Sequence, residues 1–230
     1  MIKSVKNLNT LEKCLWLLSL IVVSASFLVA KERDYMTLTA SLIGVTALIF
    51  LAKGDVLGQI LTVIFSIFYS VISYKFKYFG EMITYLGMTA PIAVLSVITW
   101  IKNPYSEKQV AVSRLSGKKI FAVIVISIPV TIAFYFILGF FGTSNLIIST
   151  ISVTTSFIAS TLTMLRSPWY AVAYALNDVV LIALWILASV SDISFLPMVF
   201  CFLMFLINDL YGFYNWIKME KEQSKKHSEA

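Results

Sequence analysis

Eight long apolar runs divide this chain and constrain its fold more than any other feature. Each run has about 17–25 residues, the length that a helix needs to cross a hydrocarbon layer about 30 Å thick. None alternates apolar and polar residues as membrane strands do, and within lipid a helix satisfies its own backbone. The sequence therefore predicts an all-α polytopic membrane protein with eight transmembrane helices. The predicted spans are approximately 12–30, 36–52, 56–74, 82–101, 120–139, 144–164, 170–190 and 195–217.

The composition excludes most water-soluble classes. Hydrophobic residues make up 59% of the 230 residues and charged residues only 13%, and the mean hydropathy is +0.88. A water-soluble fold cannot bury that much apolar surface, which excludes a soluble enzyme, a nucleic-acid-binding module and a disordered adaptor. The chain carries a net charge of +6, which therefore needs an explanation other than nucleic-acid binding.

The distribution of Lys and Arg supplies that explanation. If the N-terminus lies in the cytoplasm, 14 of the 18 basic residues fall in segments on the cytoplasmic side and four on the other. This bias follows the positive-inside rule. The sequence therefore predicts a multi-pass protein with both termini in the cytoplasm.

A weak internal repeat suggests two related halves. The triplet Trp-Ile-Lys ends the fourth predicted span at Lys102 and the eighth at Lys218, and the longest linker, Lys102 to Lys119, separates the halves. We expect two parallel three-helix repeats, with a substrate site between them near mid-membrane. The expected segments are an extra helix in 1–35, a first repeat in 36–101, a loop and connecting helix in 102–143, a second repeat in 144–218 and a tail in 219–230.

Two carboxylates lie within predicted spans, where they are energetically costly. Asp178 is near the middle of the seventh span and shares a helix face with Tyr174 and Trp185, whereas Asp209 is closer to the cytoplasmic end of the eighth. A carboxylate within lipid normally faces a cavity or a partner, but it can also hold helices together by hydrogen bonding. Trp100 and Trp216 stand where an aromatic belt is expected, which predicts interfacial anchoring.

This combination of side chains suits one type of ligand. Aromatic rings stack on a flat ring, and amides and carboxylates bond hydroxyl groups of a sugar. If the ligand ring were cationic, aromatic faces and Asp178 would attract it. The sequence contains no phosphate-binding loop, zinc-binding helix motif or nucleophile elbow. We therefore expect a transporter rather than an enzyme, with no catalytic residue, cofactor or metal.

Two long stretches resemble a known family. They are Lys53 to Tyr105, with the segment YFGEMITYLGMTAP, and Arg166 to Met219, with the segments YALNDVVLIALW and NDLYGFYNW. These stretches resemble the PnuC family of vitamin transporters, in its nicotinamide riboside branch. The resemblance implies a bacterial cell-membrane protein with a 3+1+3 core like an enlarged SWEET fold, preceded by one extra helix.

The resemblance also implies an activity and a site. It implies facilitated diffusion of nicotinamide riboside by alternating access for NAD synthesis, with a cytoplasmic riboside kinase that traps the product. Homo-oligomer formation stays open. The substrate-binding residues that it implies are Gln59, Tyr69, Tyr85, Trp169, Tyr174, Asn177, Asp178, Trp185, Asn208 and Asp209.

Other functions stay open from the sequence. Related branches of the family carry thiamine, riboflavin or deoxynucleosides on the same fold. Proton coupling through Asp178 is an alternative mechanism. A membrane enzyme or sensor that binds a ring compound, and a membrane subunit without a substrate of its own, are the alternatives from other classes.

Overall fold

The computed structural model describes residues 5–29, 34–75, 78–106, 109–143 and 145–229, with side chains described up to residue 226. Within these residues, eight helices are long and apolar enough to cross a membrane, as the sequence predicts. They are α1 Thr10–Val29, α2 Tyr35–Ala52, α3 Val56–Lys75, α4 Phe79–Lys102, α5 Gly117–Phe140, α6 Leu146–Met164, α7 Trp169–Ser191 and α8 Leu196–Glu229. Most predicted boundaries lie within three residues of the observed ones.

The eighth helix is the clearest departure from the predicted boundaries. It continues from the apolar span to Glu229, so the polar tail prolongs the helix. After Gly212 the sequence contains no Gly or Pro to end it, and Lys, Glu and Gln are good helix formers. Lys218 and Glu222 also form an ion pair one turn apart, with 3.9 Å between Nζ and Oε1.

The helix pairing confirms a 3+1+3 core. Within the first half, α2 packs on α3 and α3 on α4; within the second, α6 packs on α7 and α7 on α8. The halves meet where α2 packs on α8 and where α4 packs on α6. Exchanging the two halves converts one of these contacts into the other, as a two-fold axis along the membrane normal requires. Helix α5 packs mainly on α6, and the extra helix α1 packs on α2 and α8.

The turns after α2 and α6 repeat the same backbone conformation. Gly54 has φ +71° and Arg166 has φ +59°. The amide of Gly54 bonds the Leu51 carbonyl and that of Arg166 bonds the Thr163 carbonyl, both at 2.9 Å. This left-handed residue ends each helix and reverses the chain. The two turns therefore align the halves with an offset of 112 residues.

Helix α4 contains one π-helical turn, Tyr85–Thr89, between the α-helical segments Phe79–Thr84 and Ala90–Lys102. The amide of Ala90 bonds the carbonyl of Tyr85, five residues back. Pro91 follows directly and has no amide hydrogen to donate to the preceding turn, which favours the wider turn there. The π turn directs Tyr85 and Thr89 toward the axis of the core.

One end of the molecule, which we call the basic end, carries the α2–α3 turn, the α4–α5 linker, the α6–α7 turn and the end of α8. Glu12 ties the start of α1 to this end: its carboxylate accepts hydrogen bonds from Lys53 Nζ at 2.9 Å, Tyr211 Oη at 3.0 Å and the Asn9 amide at 2.7 Å. A charged pair bonded this completely offsets much of its desolvation cost. Glu12 is thus a structural carboxylate.

The linker at the basic end contains a short antiparallel hairpin that the sequence did not predict. Strand β1 is Pro104–Ser106 and strand β2 is Gln109–Val110. The amide of Val110 bonds the Gly54 carbonyl at 3.0 Å, and the amide of Ser113 bonds the Arg166 carbonyl at 2.9 Å. The linker therefore bonds the two equivalent turns, one in each half.

Candidate functional site

A small cavity lies between the two halves, about midway along the helices. Its volume is about 50 Å³, well below the 300–1,000 Å³ typical of pockets that enclose an organic ligand. Side chains from α2, α3, α4, α7 and α8 line it. Those used below are Thr62, Phe65, Tyr85, Thr89, Tyr174, Asn177, Asp178, Phe205 and Asp209.

The second half contributes both carboxyl groups that line this cavity. Asp178 on α7 and Asp209 on α8 are 2% and 3% exposed, and their carboxyl groups interact with each other. Asp178 Oδ2 has no hydrogen-bond partner among the described residues. Asn177 Oδ1 accepts from Thr155 Oγ1 at 2.8 Å and from Ser152 Oγ at 3.3 Å, so the amide is held in place from α6. This wall of the cavity carries two neighbouring carboxyl groups and is only partly satisfied by hydrogen bonds.

The first half contributes mainly aromatic and hydroxyl groups. The rings of Phe65 and Tyr85 meet edge to face, with 6.0 Å between centroids. Thr89 Oγ1 is buried and has no hydrogen-bond partner among the described residues. None of the described residues that line the cavity is Lys, Arg or His. The cavity therefore combines ring faces, unpaired oxygen atoms and two carboxyl groups, with no cationic side chain among its described lining residues.

Aromatic side chains close the cavity toward the end opposite the basic end. Trp185 Nε1 on α7 donates to Tyr69 Oη on α3 at 3.1 Å, and both residues are fully buried. Tyr78 and Phe195 pack on the Trp185 ring, with centroids 5.1 and 5.6 Å away. We call Tyr69, Tyr78, Trp185 and Phe195 the aromatic plug. It joins the two halves on that side of the cavity.

A pair of tryptophans closes the basic end. The rings of Trp100 and Trp216 lie 5.4 Å apart between centroids, and each indole bonds a carbonyl of the other half. Trp100 Nε1 donates to the Thr163 carbonyl at 3.0 Å, and Trp216 Nε1 donates to the Leu51 carbonyl at 2.8 Å. Both are about 1% exposed or less. The prediction that they anchor the protein at the membrane interface is wrong, because their indoles bond across the two-fold axis inside the core.

Five of the ten predicted site residues line the cavity: Tyr85, Tyr174, Asn177, Asp178 and Asp209. Two others, Tyr69 and Trp185, belong to the aromatic plug next to it. Gln59 is buried on α3 with its Nε2 lacking a partner among the described residues, but it does not line the cavity.

Two predicted residues lie away from the cavity. Trp169 is 49% exposed at the start of α7 and packs on Phe213. Asn208 points toward α1, where its Nδ2 donates to Ser19 Oγ at 2.9 Å and to the Met204 carbonyl at 2.7 Å. Asn208 neighbours Asp209 in sequence, but adjacent helical residues face directions about 100° apart.

The sequence does not mark several residues near the cavity as functional. Phe65 and Phe205 look like ordinary lipid-facing or core residues in an apolar span. Thr89 reaches the cavity because the π turn rotates it there. Glu81 stands one position before the predicted fourth span and reads as a loop residue, whereas α4 begins at Phe79 and buries it to 1% exposure.

Comparison with known proteins assigns the chain to a family. The sequence profile described as "Nicotinamide mononucleotide transporter" matches residues 34–218, which include α2 to α7 and most of α8. The chain belongs to this transporter family. The matched residues include every side chain that lines the cavity.

Two curated members of the family are similar over most of their length. The nicotinamide riboside transporter PnuC of Neisseria mucosa is 24% identical over 218 residues, which cover 92% of this chain and 83% of that protein. The PnuC of Haemophilus influenzae is 22% identical over 209 residues, which cover 90% and 89%.

A solved structure of the family shares the fold. It is described as the crystal structure of the vitamin B3 transporter PnuC, and its TM-score to this chain is 0.84 at 23% sequence identity, with 94% of both chains covered. The 3+1+3 arrangement is therefore the fold of this family, and this chain is a multi-pass membrane transporter.

Proposed function

We propose that this transporter takes up nicotinamide riboside across the bacterial cell membrane by facilitated diffusion. The observation that carries the proposal is the aromatic cavity with two carboxyl groups and no cationic side chain among its described lining residues. Nicotinamide riboside is a flat pyridinium ring with one positive charge, joined to a sugar with hydroxyl groups. Aromatic faces and a carboxylate attract such a ring, and unpaired oxygen atoms accept from its hydroxyl and amide groups.

The same cavity disfavours the phosphorylated compound that the family profile mentions. Nicotinamide mononucleotide adds a phosphate, which proteins bind with Arg, Lys or clustered backbone amides. A phosphate beside Asp178 and Asp209 would place like charges together in a desolvated space. The unphosphorylated riboside is thus the better match, and both relatives described above are nicotinamide riboside transporters.

The two closures support alternating access. The aromatic plug blocks one end of the cavity and the Trp100–Trp216 pair blocks the other, and the cavity is smaller than a riboside. The halves must therefore separate at one end at a time to admit and release substrate.

The distribution of basic residues indicates which end of the transporter faces the cytoplasm. The basic end, which carries the start of α1 and the end of α8, lies in the cytoplasm. The aromatic plug faces the exterior. A gradient alone drives uptake, and a cytoplasmic riboside kinase maintains that gradient by converting the product to the mononucleotide for NAD synthesis. No catalytic step belongs to the transporter itself.

Uptake into proteoliposomes without a kinase tests the proposal. Labelled nicotinamide riboside should reach the same concentration inside and outside, with and without a pH gradient. The mononucleotide should stay outside, and thiamine, riboflavin and deoxynucleosides should compete weakly. Failure of the riboside to equilibrate, while a control transporter works in the same vesicles, would refute the proposal; accumulation only under a pH gradient would replace uniport by proton coupling.

A further inference from the structure

Glu81 is a buried carboxylate that the proposed mechanism does not yet use. It is the third residue of α4, near the end opposite the basic end, and is 1% exposed. Neither Oε1 nor Oε2 has a hydrogen-bond partner among the described residues. Glu12 is equally buried but has three donors. The contrast indicates that the Glu81 carboxylate does not serve to hold the fold together.

The groups around Glu81 come from three helices. Its carboxylate interacts electrostatically with the hydroxyls of Tyr69 on α3 and Tyr85 on α4, and the Ser152 hydroxyl lies beside it on α6. Ser152 donates its own hydrogen bond to Asn177. None of these groups is cationic. A buried ionisable group in a membrane-spanning helix, with no cationic group beside it, is a candidate functional residue.

The position of Glu81 connects it to the substrate route. Glu81, Tyr85 and Thr89 follow one another at four-residue intervals and so share one face of α4. Tyr85 and Thr89 line the cavity, and Tyr69 belongs to the aromatic plug and packs on Tyr85 with 4.3 Å between ring centroids. Glu81 therefore lies beside the tyrosines that separate the plug from the cavity.

We propose that Glu81 is a binding residue for the cationic ring of the substrate as the ring passes from the aromatic plug into the cavity. The ring then meets Glu81 before Asp178 and Asp209, and the tyrosine faces beside Glu81 hold it by cation–π attraction. Glu81 thereby selects cationic ligands over neutral ligands of the same shape. This inference rests on the proposed riboside transport.

A pair of ligands that differ in charge provides the test. Nicotinamide riboside has a positive ring, and dihydronicotinamide riboside has the same substituents on a neutral ring. The initial uptake rate of each into proteoliposomes, and its KM, are measured for the wild type and for Glu81→Gln. We expect the KM for the cationic riboside, relative to that for the neutral one, to rise about a hundredfold in Glu81→Gln, as for loss of a unit charge about 6 Å from the ring at an effective dielectric constant of about 20.

Glu12→Gln is the matched control. It makes the same chemical change at an equally buried carboxylate away from the cavity, and the KM ratio should stay within about twofold of the wild type, a margin comparable to the scatter of single-site effects. Glu81→Asp keeps the charge and should also keep the ratio near the wild-type value. Glu81→Leu is a second neutral variant whose ratio should follow Glu81→Gln.

The outcomes separate this inference from the function on which it rests. If the wild type transports neither riboside, the proposed function and the role of Glu81 both fall. If it transports both and the neutral Glu81 variants leave the KM ratio unchanged, the role of Glu81 alone is overturned. If Glu12→Gln raises the KM ratio as much as Glu81→Gln does, the role of Glu81 is overturned as well.

Discussion

Corresponding positions of the two halves carry different chemistry where they meet the cavity. With the offset of 112 residues that the two turns define, Thr62 corresponds to Tyr174, and Phe65 to Asn177. All four line the cavity. One step further along, Ser66 corresponds to Asp178, and only Asp178 contributes to the lining. The halves thus share a backbone scaffold, while the amide and both carboxyl groups of the cavity belong to the second half.

The same halves agree where they close the basic end. Trp100 and Trp216 lie at the basic end on corresponding helices, and each bonds a carbonyl next to the other half's equivalent turn. The hydrogen bonds that close the basic end are therefore repeated in both halves. The side chains that line the cavity differ between the halves. Comparing one substitution in each half tests the roles given to the closures and to the cavity.

The largest difference is expected between Asp178→Asn and Ser66→Ala. The first removes a charge from the cavity and should reduce kcat/KM for riboside uptake about a hundredfold, as for loss of a unit charge about 6 Å from the ring at an effective dielectric constant of about 20. The second removes a buried hydroxyl that has no hydrogen-bond partner among the described residues, and it should change uptake less than about twofold. Uptake into proteoliposomes measures both. Equal losses of kcat/KM in the two variants would contradict the different roles given to the two halves.

The equivalent turns should respond unequally to substitution. Gly54→Ala places a Cβ at positive φ and only 2.7 Å from Met219 Cε, so we expect a loss of about 1–3 kcal/mol in stability. Arg166→Gly relieves its positive φ but loses the bond from Nη1 to the Ala111 carbonyl, so the net change should stay within about 1 kcal/mol. Thermal unfolding followed by helical circular dichroism distinguishes these results. A larger loss for Arg166→Gly would contradict the role given to Gly54.

The tryptophans at the basic end should respond equally. Trp100→Phe and Trp216→Phe each keep a ring but remove one hydrogen bond between the halves, and each should lower stability by about 1–2 kcal/mol. Trp169→Phe is the control, because Trp169 is half-exposed and its indole has no part in the closure, and it should change stability by less than about 0.5 kcal/mol. A measured difference of more than about 1 kcal/mol between Trp100→Phe and Trp216→Phe would show that the closure is not symmetric.

The smallest effect is expected at the aromatic plug. Tyr69→Phe and Trp185→Phe remove the two partners of one bond between α3 and α7. A double-mutant cycle on stability should give a coupling energy of about 0.5–1.5 kcal/mol. Additive effects of the two changes would mean that this bond does not hold the halves together.

The sequence predicts the fold almost completely, because the membrane restricts long apolar runs to helices. The eight spans, their order and the repeat follow from length, hydropathy and short linkers. The extension of α8 and the short hairpin escaped prediction for different reasons. The composition of the polar tail is compatible with a helix and with a solvated coil. The hairpin depends on hydrogen bonds to Gly54 and Gln223, which are distant in sequence.

The site is less predictable than the fold. Asp178 and Asp209 stand out because charge is rare in lipid, but the direction of a side chain depends on helix rotation. Asn208 therefore faces α1 although its neighbour faces the cavity, and Trp169 lies at the surface although its helix lines the site. The burial of Glu81 follows from a helix start three residues earlier than hydropathy predicts.

Counterflow tests the central claim, that the acidic cavity exchanges a cationic riboside and excludes its phosphate, most directly. Proteoliposomes are loaded with excess unlabelled nicotinamide riboside and diluted into a trace of labelled riboside, without a kinase or an ion gradient. We expect transient accumulation of label that then decays to equilibrium, and no such accumulation in vesicles loaded with nicotinamide mononucleotide. Equal accumulation with both internal compounds, or none with the riboside, would contradict it.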